Sequence, residues 1–153
     1  MKILVMSDSH GGNNTLLNTV SLESPDLILH LGDHDRDCMD IGLEFPEIPL
    51  RSVRGNCDRS SNGLDIDEFT LNGKRFFMTH GHLYRVKTGL TQIVDTARAR
   101  GADILLFGHT HIPLNTTREN LILINPGSIC MGAKTYAVLD IDGGTVLCDI
   151  KSL

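Results

Sequence analysis

The stretch KILVMSDSH (residues 2–10) decides how the whole chain is read. Ile3 to Met6 form a short unbroken apolar run, the pattern of a strand buried on both faces. The run stops at once in Asp8-Ser9-His10. In extended backbone, residues two apart point to the same side, so Asp8 and His10 can face one ion together. Ligands in α/β proteins gather outside the carboxyl ends of strands. A buried strand that ends in two metal-binding side chains therefore points to an α/β fold with a metal site at the strand ends.

Four more stretches repeat this arrangement. LILHL (27–31) runs into Gly32-Asp33, and PLRSV (49–53) runs into Gly55-Asn56. KRFFMT (74–79) runs into His80-Gly81-His82, and DILLF (103–107) into Gly108-His109-Thr110-His111. The neighbouring glycines allow tight turns and close approach of backbone. Seven ligand-type residues thus lie at strand ends: Asp8, His10, Asp33, Asn56, His80, His109 and His111. Each alone has an ordinary reading. Asp33 can be a turn residue or helix cap. Asn56 can simply take up a left-handed conformation. A lone histidine after a strand is usually just polar. The repetition at five strand ends is what points to metal.

The rest of the chain fills in around these strands. Asn13 or Asn14 can cap a short helix that carries Leu16, Leu17 and Val20 on one side, and Pro25 ends it. Residues 32–40 read as a polar loop with short helical turns. DIDEFTL and KRFFMT form a hairpin about Asn72-Gly73. Thr88 to Arg100 is the clearest helix, with Leu90, Ile93, Val94 and Ala97 on one face and Gly101 beyond its end. LILI (121–124), TYAVLDI (135–141) and TVLCDI (145–150) are the remaining strands. Strands and helices alternate early and strands dominate late, so more than one sheet is expected, covered outside by helices. Strand order does not follow from the pattern. No linker or repeat divides residues 1–153, which read as one domain.

Composition narrows the function. The net charge is -5, Trp is absent, and there are five Phe and two Tyr. An acidic chain poor in aromatics is not expected to bind nucleic acid broadly, since it lacks a basic face and a base-stacking surface. The opening apolar run is too short for a signal peptide or a membrane span. The four cysteines form no CxxC pair and read as free thiols in a reducing cytoplasm.

The donor set is oxygen and nitrogen without thiolate. It suits Mn, Fe, Zn, Co or Ni better than Mg, which prefers oxygen and water. Two ions ~3.5–4 Å apart can clamp both the nucleophile and a phosphoryl oxygen in an in-line displacement. Two divalent ions outweigh the charge of two aspartates and leave room for hydroxide and a phosphate ester.

These same residues resemble the calcineurin-like metallophosphoesterases, and within them the small bacterial and archaeal phosphodiesterases that are similar to the retromer subunit of that fold. The matching motifs are DSH (8–10), LGD (31–33), RGNCD (54–58), THGH (79–82) and GHTH (108–111), followed by NPGS (125–128). The resemblance implies a four-layer αββα sandwich of two mixed β-sheets flanked by helices. It implies that Asp8, His10 and His111 hold one ion, that Asn56, His80 and His109 hold a second, and that Asp33 bridges both. It implies a hydroxide between the ions that attacks phosphorus, a small phosphate ester or diester as substrate, two divalent ions per chain with manganese first among them, and self-association as a dimer or larger. Phosphomonoester or nucleotide hydrolysis is the alternative reaction, and an interaction scaffold with little activity is the other alternative.

The chain departs from the wider superfamily at Cys57, where many relatives have a histidine that helps the leaving group. The thiol can donate a proton in principle, or it can be a small apolar filler. Asp58 can orient a ligand or pair with Arg54 or Arg59. His82 can touch substrate or support His80. Asp33, Asn56, His80, His82 and Cys57 are thus the candidate catalytic residues. Tyr84, Arg85 and Lys87 fall on a loop, with Arg85 and Lys87 expected to be solvated. His34, Asp35 and Asp37 shape the rim or keep a loop soluble. His30, inside an apolar strand, reads as structural.

Overall fold

The computed structural model describes residues 1–153. In chain order the elements are β1 (Lys2–Met6), α1 (Asn13–Glu23), β2 (Leu27–His30), α2 (Asp37–Glu44), β3 (Leu50–Ser52), β4 (Ile66–Leu71) and β5 (Lys74–Thr79). They continue with α3 (Thr91–Ala99), β6 (Ile104–Leu106), β7 (Leu114–Arg118), β8 (Leu121–Asn125), β9 (Thr135–Asp142) and β10 (Thr145–Ser152). The strands make two five-stranded sheets, in the orders β10-β9-β1-β2-β3 and β4-β5-β6-β8-β7. Both are mixed. β1, β2 and β3 run parallel, as do β5, β6 and β8, and antiparallel strands complete each sheet.

The alternation along β1 shows how the layers form. Ile3 and Val5 enter a core between the two sheets, where they meet Phe76, Met78, Ile104 and Leu106. Leu4 and Met6 point the other way and pack with Leu16 and Val20 of α1 and Ile41 of α2. On the far side of the second sheet, Phe77, Leu105 and Leu123 pack with Ile93, Val94 and Ala97 of α3. Strands covered on both faces need apolar residues at every position, and this is why the central runs are unbroken. The outcome is the four-layer αββα sandwich, with helices outside both sheets.

Several local expectations are corrected. Asn13 does not cap α1. Gly12 occupies that position, no side chain caps the helix, and the Asn13 amide instead donates to Asp40. Residues 37–44 form the helix α2 where a loop was expected. Its buried positions Asp37, Cys38 and Ile41 are too few and too polar to announce a helix. α3 begins at Thr91, later than Thr88, and Leu90 is its N-cap. β7 was not anticipated at all. His82 to Tyr84 form a 3-10 turn that begins the segment read as a loop. The hairpin of β4 and β5 holds, with Asn72 and Gly73 at φ 48° and 77°.

The two sheets bring their carboxyl ends to one edge. Asp8 N–H donates to Gly32 C=O after β1 and β2, and Gly108 N–H donates to His80 C=O after β5 and β6, both at 3.0 Å. Each of these bonds joins neighbouring loops of one sheet, and His80 Nδ1 against the Leu31 carbonyl links the two sheets.

Candidate metal centre

The loop after β1 supplies Asp8, which is fully buried. Its Oδ2 accepts from Ser7 Oγ at 2.5 Å and from the backbone N–H of His109 at 3.1 Å. Its Oδ1 is buried with no hydrogen-bond partner. That oxygen stands 3.0 Å from Nε2 of His111 and 3.9 Å from Nε2 of His80. Asp33, after β2, uses Oδ1 to accept the backbone N–H of Cys57 at 2.8 Å. Its Oδ2 lies 3.5 Å from His80 Nε2.

His80, after β5, is fully buried. Its Nδ1 lies 2.7 Å from the carbonyl oxygen of Leu31, an acceptor only, so Nδ1 carries the proton. In the neutral ring Nε2 is then a bare lone pair. It faces Asn56 Oδ1 and His109 Nδ1, each at 3.2 Å. His80 Nε2 and the unpaired Asp8 Oδ1 are fully buried acceptors turned on one another, and they call for positive charge between them. Burial alone would lower the pKa of His80, yet Asp33 and Asp8 raise it. Burial would raise that of Asp33, yet His80 and the Cys57 N–H hold it well below the usual carboxylate range. For His109, burial and then His80 and Lys87 depress the pKa to about 4, which keeps this ring neutral as a metal ligand must be.

Ligand atoms converge in three overlapping groups: Asp8 with His10 and His111, His10 with Asp33 and Cys57, and Asp33 with His80 and His109. In each, the atoms lie within 4.8 Å of one another. His10 Nε2, like Asp8 Oδ1, is buried and without a partner. The unpaired oxygen and nitrogen atoms, two carboxylates and neutral imidazoles fit divalent cations of the nitrogen-accepting kind. All seven residues singled out from the strand ends come to this edge. Asn56 does so from an exposed loop, and its backbone is not left-handed.

The backbone places the ligands differently from the extended geometry expected. Asp8 and His10 have φ of 54° and 46°, Asp33 58°, His109 67° and His111 59°. These are left-handed conformations that non-glycine residues rarely adopt, and they collect at functional sites. Close approach adds a further demand. A Cβ at Gly55 would run into the Asp33 side chain and backbone, and one at Gly108 would run into Ser7 Oγ.

Asp58 is the residue whose importance the sequence understated. It is buried and pairs with neither Arg54 nor Arg59. Its Oδ2 accepts from Asp33 N–H at 2.9 Å and Gly55 N–H at 2.7 Å, and its Oδ1 from His34 N–H at 2.8 Å and Asp35 N–H at 3.1 Å. It therefore fixes the Asp33 loop against the Asn56 loop. Arg54 instead forks onto Asp65 at 2.7 and 2.9 Å. NPGS also earns a physical role. Asn125 donates to Gly108 C=O at 3.0 Å, and Ser128 Oγ donates to Asp8 C=O at 2.8 Å. Below the site, buried His30 meets Ser9 Oγ at 3.2 Å, and Ser9 donates to Asp37 at 2.6 Å. His30 and Asp37 are thus parts of the support, and Asp37 is not a solubilising loop residue.

Cys57 is exposed, and its Sγ lies within 4.8 Å of the His10 and Asp33 ligand atoms and 3.4 Å from the Asn56 amide nitrogen. Burial and the neighbouring Asp33 carboxylate push its thiol pKa up. His82 lies with its ring centroid 5.4 Å from that of His80, and its Nδ1 is buried without a partner. Burial, then His80, lower its pKa. Two grooves open beside the cluster. One, of about 650 Å³, begins at His34 and Cys57, and the other, of about 290 Å³, begins at Asn56 and His82.

The chain is similar to known proteins over most of its length. The family profile described as "Calcineurin-like phosphoesterase superfamily domain" matches residues 1–144. The probable metallophosphoesterase YsnB of Bacillus subtilis is 32% identical over 148 residues, covering 93% of this chain and 85% of that protein. The phosphodiesterase YfcE of Escherichia coli is 25% identical over 170 aligned residues, covering 93% and 89%. A crystal structure of a predicted phosphoesterase from Streptococcus pneumoniae superposes with a TM-score of 0.82 at 26% identity, covering 99% of this chain and 88% of that one. The chain is a metal-dependent phosphoesterase and belongs to the calcineurin-like phosphoesterase superfamily.

Proposed function

We propose that the chain is a phosphodiesterase that works with two divalent ions. Asp8, His10 and His111 would hold one ion, Asn56, His80 and His109 the other, with Asp33 shared. The observation that supports this reading is that Asp33 shares one ligand group with His10 and another with His80 and His109, and so reaches toward both proposed sites. When bound, a pair of divalent ions supplies positive charge to the phosphoryl oxygens and lowers the pKa of water for attack on phosphorus.

The protein's own groups hold the donors ready. The Leu31 carbonyl fixes the tautomer of His80 and turns Nε2 to the cluster. Ser7 and the His109 N–H hold Asp8 by one oxygen and leave the other free. The Cys57 N–H does the same for Asp33. His82 faces the smaller groove and would meet a phosphoryl oxygen or leaving group there. Cys57 offers only a weak proton donor, so substrates whose leaving groups need little protonation should react best.

Manganese is the first choice of metal, with Ni, Co, Fe or Zn able to use the same donors. The four free thiols suit a reducing cytoplasm, and residues 1–153 would act as one unit that self-associates. The test is to load metal-free protein with Mn, Ni, Co, Zn or Mg and compare bis(p-nitrophenyl) phosphate with p-nitrophenyl phosphate. Faster diester hydrolysis, rising to a plateau at two equivalents of metal, is the expected result. Faster monoester hydrolysis would assign a phosphatase, and no hydrolysis with both ions bound would assign a scaffold.

A further inference from the structure

The larger groove is lined by His34, Asp35, Arg36 and Met39 on one side and by the segment 57–62 on the other. It starts at the cluster, because His34 follows Asp33 and Cys57 follows Asn56 in the chain. Its walls are polar. Only Met39 and Cys57 are apolar, so it has little to offer a greasy substituent.

Two arginines line this groove. Arg51, Arg54, Arg98 and Arg100 are each tied to a carboxylate elsewhere in the molecule. Arg36 and Arg59 form no ion pair and no side-chain hydrogen bond, and both line this groove, one from each wall. The two carboxylates in the same lining are already engaged. Asp58 accepts four backbone N–H groups, and Asp35 accepts from Ser61 Oγ. Among the donors that remain are both guanidinium groups, with His34, Ser60 and Asn62 beside them, and guanidinium groups match the oxygens of a phosphate. Arg75, Arg85 and Arg118 are likewise without an ion pair, and what sets Arg36 and Arg59 apart is that both line one groove that begins at the cluster.

We infer that the groove between Arg36 and Arg59 binds a second phosphate group on the substrate, so that the preferred diester carries an additional phosphate on the substituent lying away from the leaving group. The inference rests on the phosphodiesterase reading and specifies its substrate class. Nucleoside-type diesters with a terminal phosphate satisfy it. The approximate volume of 650 Å³ accommodates such a substituent.

The experiment compares two substrates that release the same p-nitrophenol: the p-nitrophenyl ester of thymidine 5′-phosphate, and the same compound bearing a 3′-phosphate. They differ by one phosphate. Manganese-loaded wild type should show kcat/KM for the bisphosphate higher by roughly tenfold, the scale of one charge-assisted contact. Arg36→Ala and Arg59→Ala should each shrink that ratio, and the double variant should bring it close to one. Arg118→Ala, on the far strand β7, should keep the wild-type ratio. Calorimetric binding of thymidine 3′,5′-bisphosphate against thymidine 5′-phosphate gives a readout independent of turnover. The same preference, lost in the double variant, is expected there. A wild-type ratio at or below one, or a ratio that the double variant leaves intact, overturns the inference. Failure to hydrolyse either diester while the binding preference survives would instead overturn the phosphodiesterase reading and leave the second-phosphate site standing.

Discussion

His80 donates its Nδ1–H to the carbonyl oxygen of Leu31 at 2.7 Å, and by this bond the second sheet holds the first at the edge where the cluster lies. One ring serves two purposes. Nδ1 ties the sheets together, and Nε2 faces Asn56, His109 and Asp33.

The two purposes can be separated. Asn at position 80 can place an amide N–H near where Nδ1 stands but reaches no farther. His80→Asn should therefore lose one bound ion while unfolding within about 1 kcal/mol of wild type, the worth of one hydrogen bond. His80→Ala should lose the ion and also be distinctly less stable. Metal analysis and urea unfolding, run on both variants, check this. Equal destabilisation by the two substitutions would mean that the Leu31 bond does not matter.

Asp33 and His111 should differ in their reach. Asp33→Ala should weaken both metal sites together, because both lose one shared anion. His111→Ala should weaken mainly the site built on Asp8 and His10. Stepwise metal titration of each variant distinguishes the outcomes. An Asp33→Ala protein with one site still at wild-type affinity would reject the shared role.

Asp58 should behave as a structural clamp with a metal phenotype. Its carboxylate holds four N–H groups on two loops. Asp58→Ala strands these donors and should lower stability by about 2–4 kcal/mol, from loss of hydrogen bonds to a buried charge. Asp58→Asn keeps one acceptor oxygen and should lose less. Metal affinity should follow the same order, although Asp58 is no ligand. Wild-type metal affinity in Asp58→Ala would show that the loops hold their positions without it.

Glu23 sets an acid limit on stability away from the site. It is only 5% exposed and receives Lys2 Nζ at 2.7 Å, Lys151 Nζ at 2.9 Å and the Tyr136 hydroxyl at 2.8 Å. Burial alone would raise its pKa, yet these donors bring it from 4.5 down to about 2. The folded carboxyl thus resists a proton that the unfolded chain accepts. Its stabilisation is full above pH 4.5 and fades as pH falls toward 2. Urea unfolding across that window should show a shallower decline for Glu23→Gln than for wild type. Parallel declines would remove Glu23 from the acid response.

Cys57 touches Asp33 through its backbone N–H, which alanine retains. Cys57→Ala should therefore keep both ions and most hydrolysis of aryl diesters. Cys57→His should improve alkyl diesters more than aryl ones, by supplying a better proton donor for a poor leaving group. The measurement is kcat/KM for a matched aryl and alkyl pair at equal metal occupancy. Abolition of aryl hydrolysis by Cys57→Ala with both ions bound would place the thiol among the catalytic groups.

How far the sequence could be read depended on what each segment buries. β1, β2, β5 and β6 are covered on both faces, so their apolar runs were plain, and the ligands at their ends were plain with them. β7 is an edge strand paired only to β8, and its Asn115, Thr116 and Thr117 carry no apolar alternation. α2 buries Asp37 for its bond to Ser9, a reason that no periodicity can display. The ligand positions were legible, but their backbone was not. The left-handed turns at Asp8 and His10 depend on partners more than a hundred residues away, such as the Ser128 hydroxyl on the Asp8 carbonyl. Asp58 and the pair Arg36 and Arg59 were hidden for a similar reason, since their significance lies in which neighbours they have or lack.

The left-handed ligands also set terms for laboratory evolution. Asp8, His10, Asp33, His109 and His111 each hold a conformation disfavoured by roughly 1–2 kcal/mol relative to the right-handed one. Glycine at any of them would relieve that strain and remove a metal ligand in the same step. A library selected for heat resistance alone, in metal-free medium, would drift toward glycine first at His10, whose buried ring nitrogen has no partner, before Asp8 or Asp33, whose carboxylates hold N–H groups, and would arrive at a sturdier but inert protein. Selection under limiting metal would push the other way, because bound ions stabilise only the folded chain. The surroundings chosen for the screen, and not its temperature, would decide which of these two descendants survives.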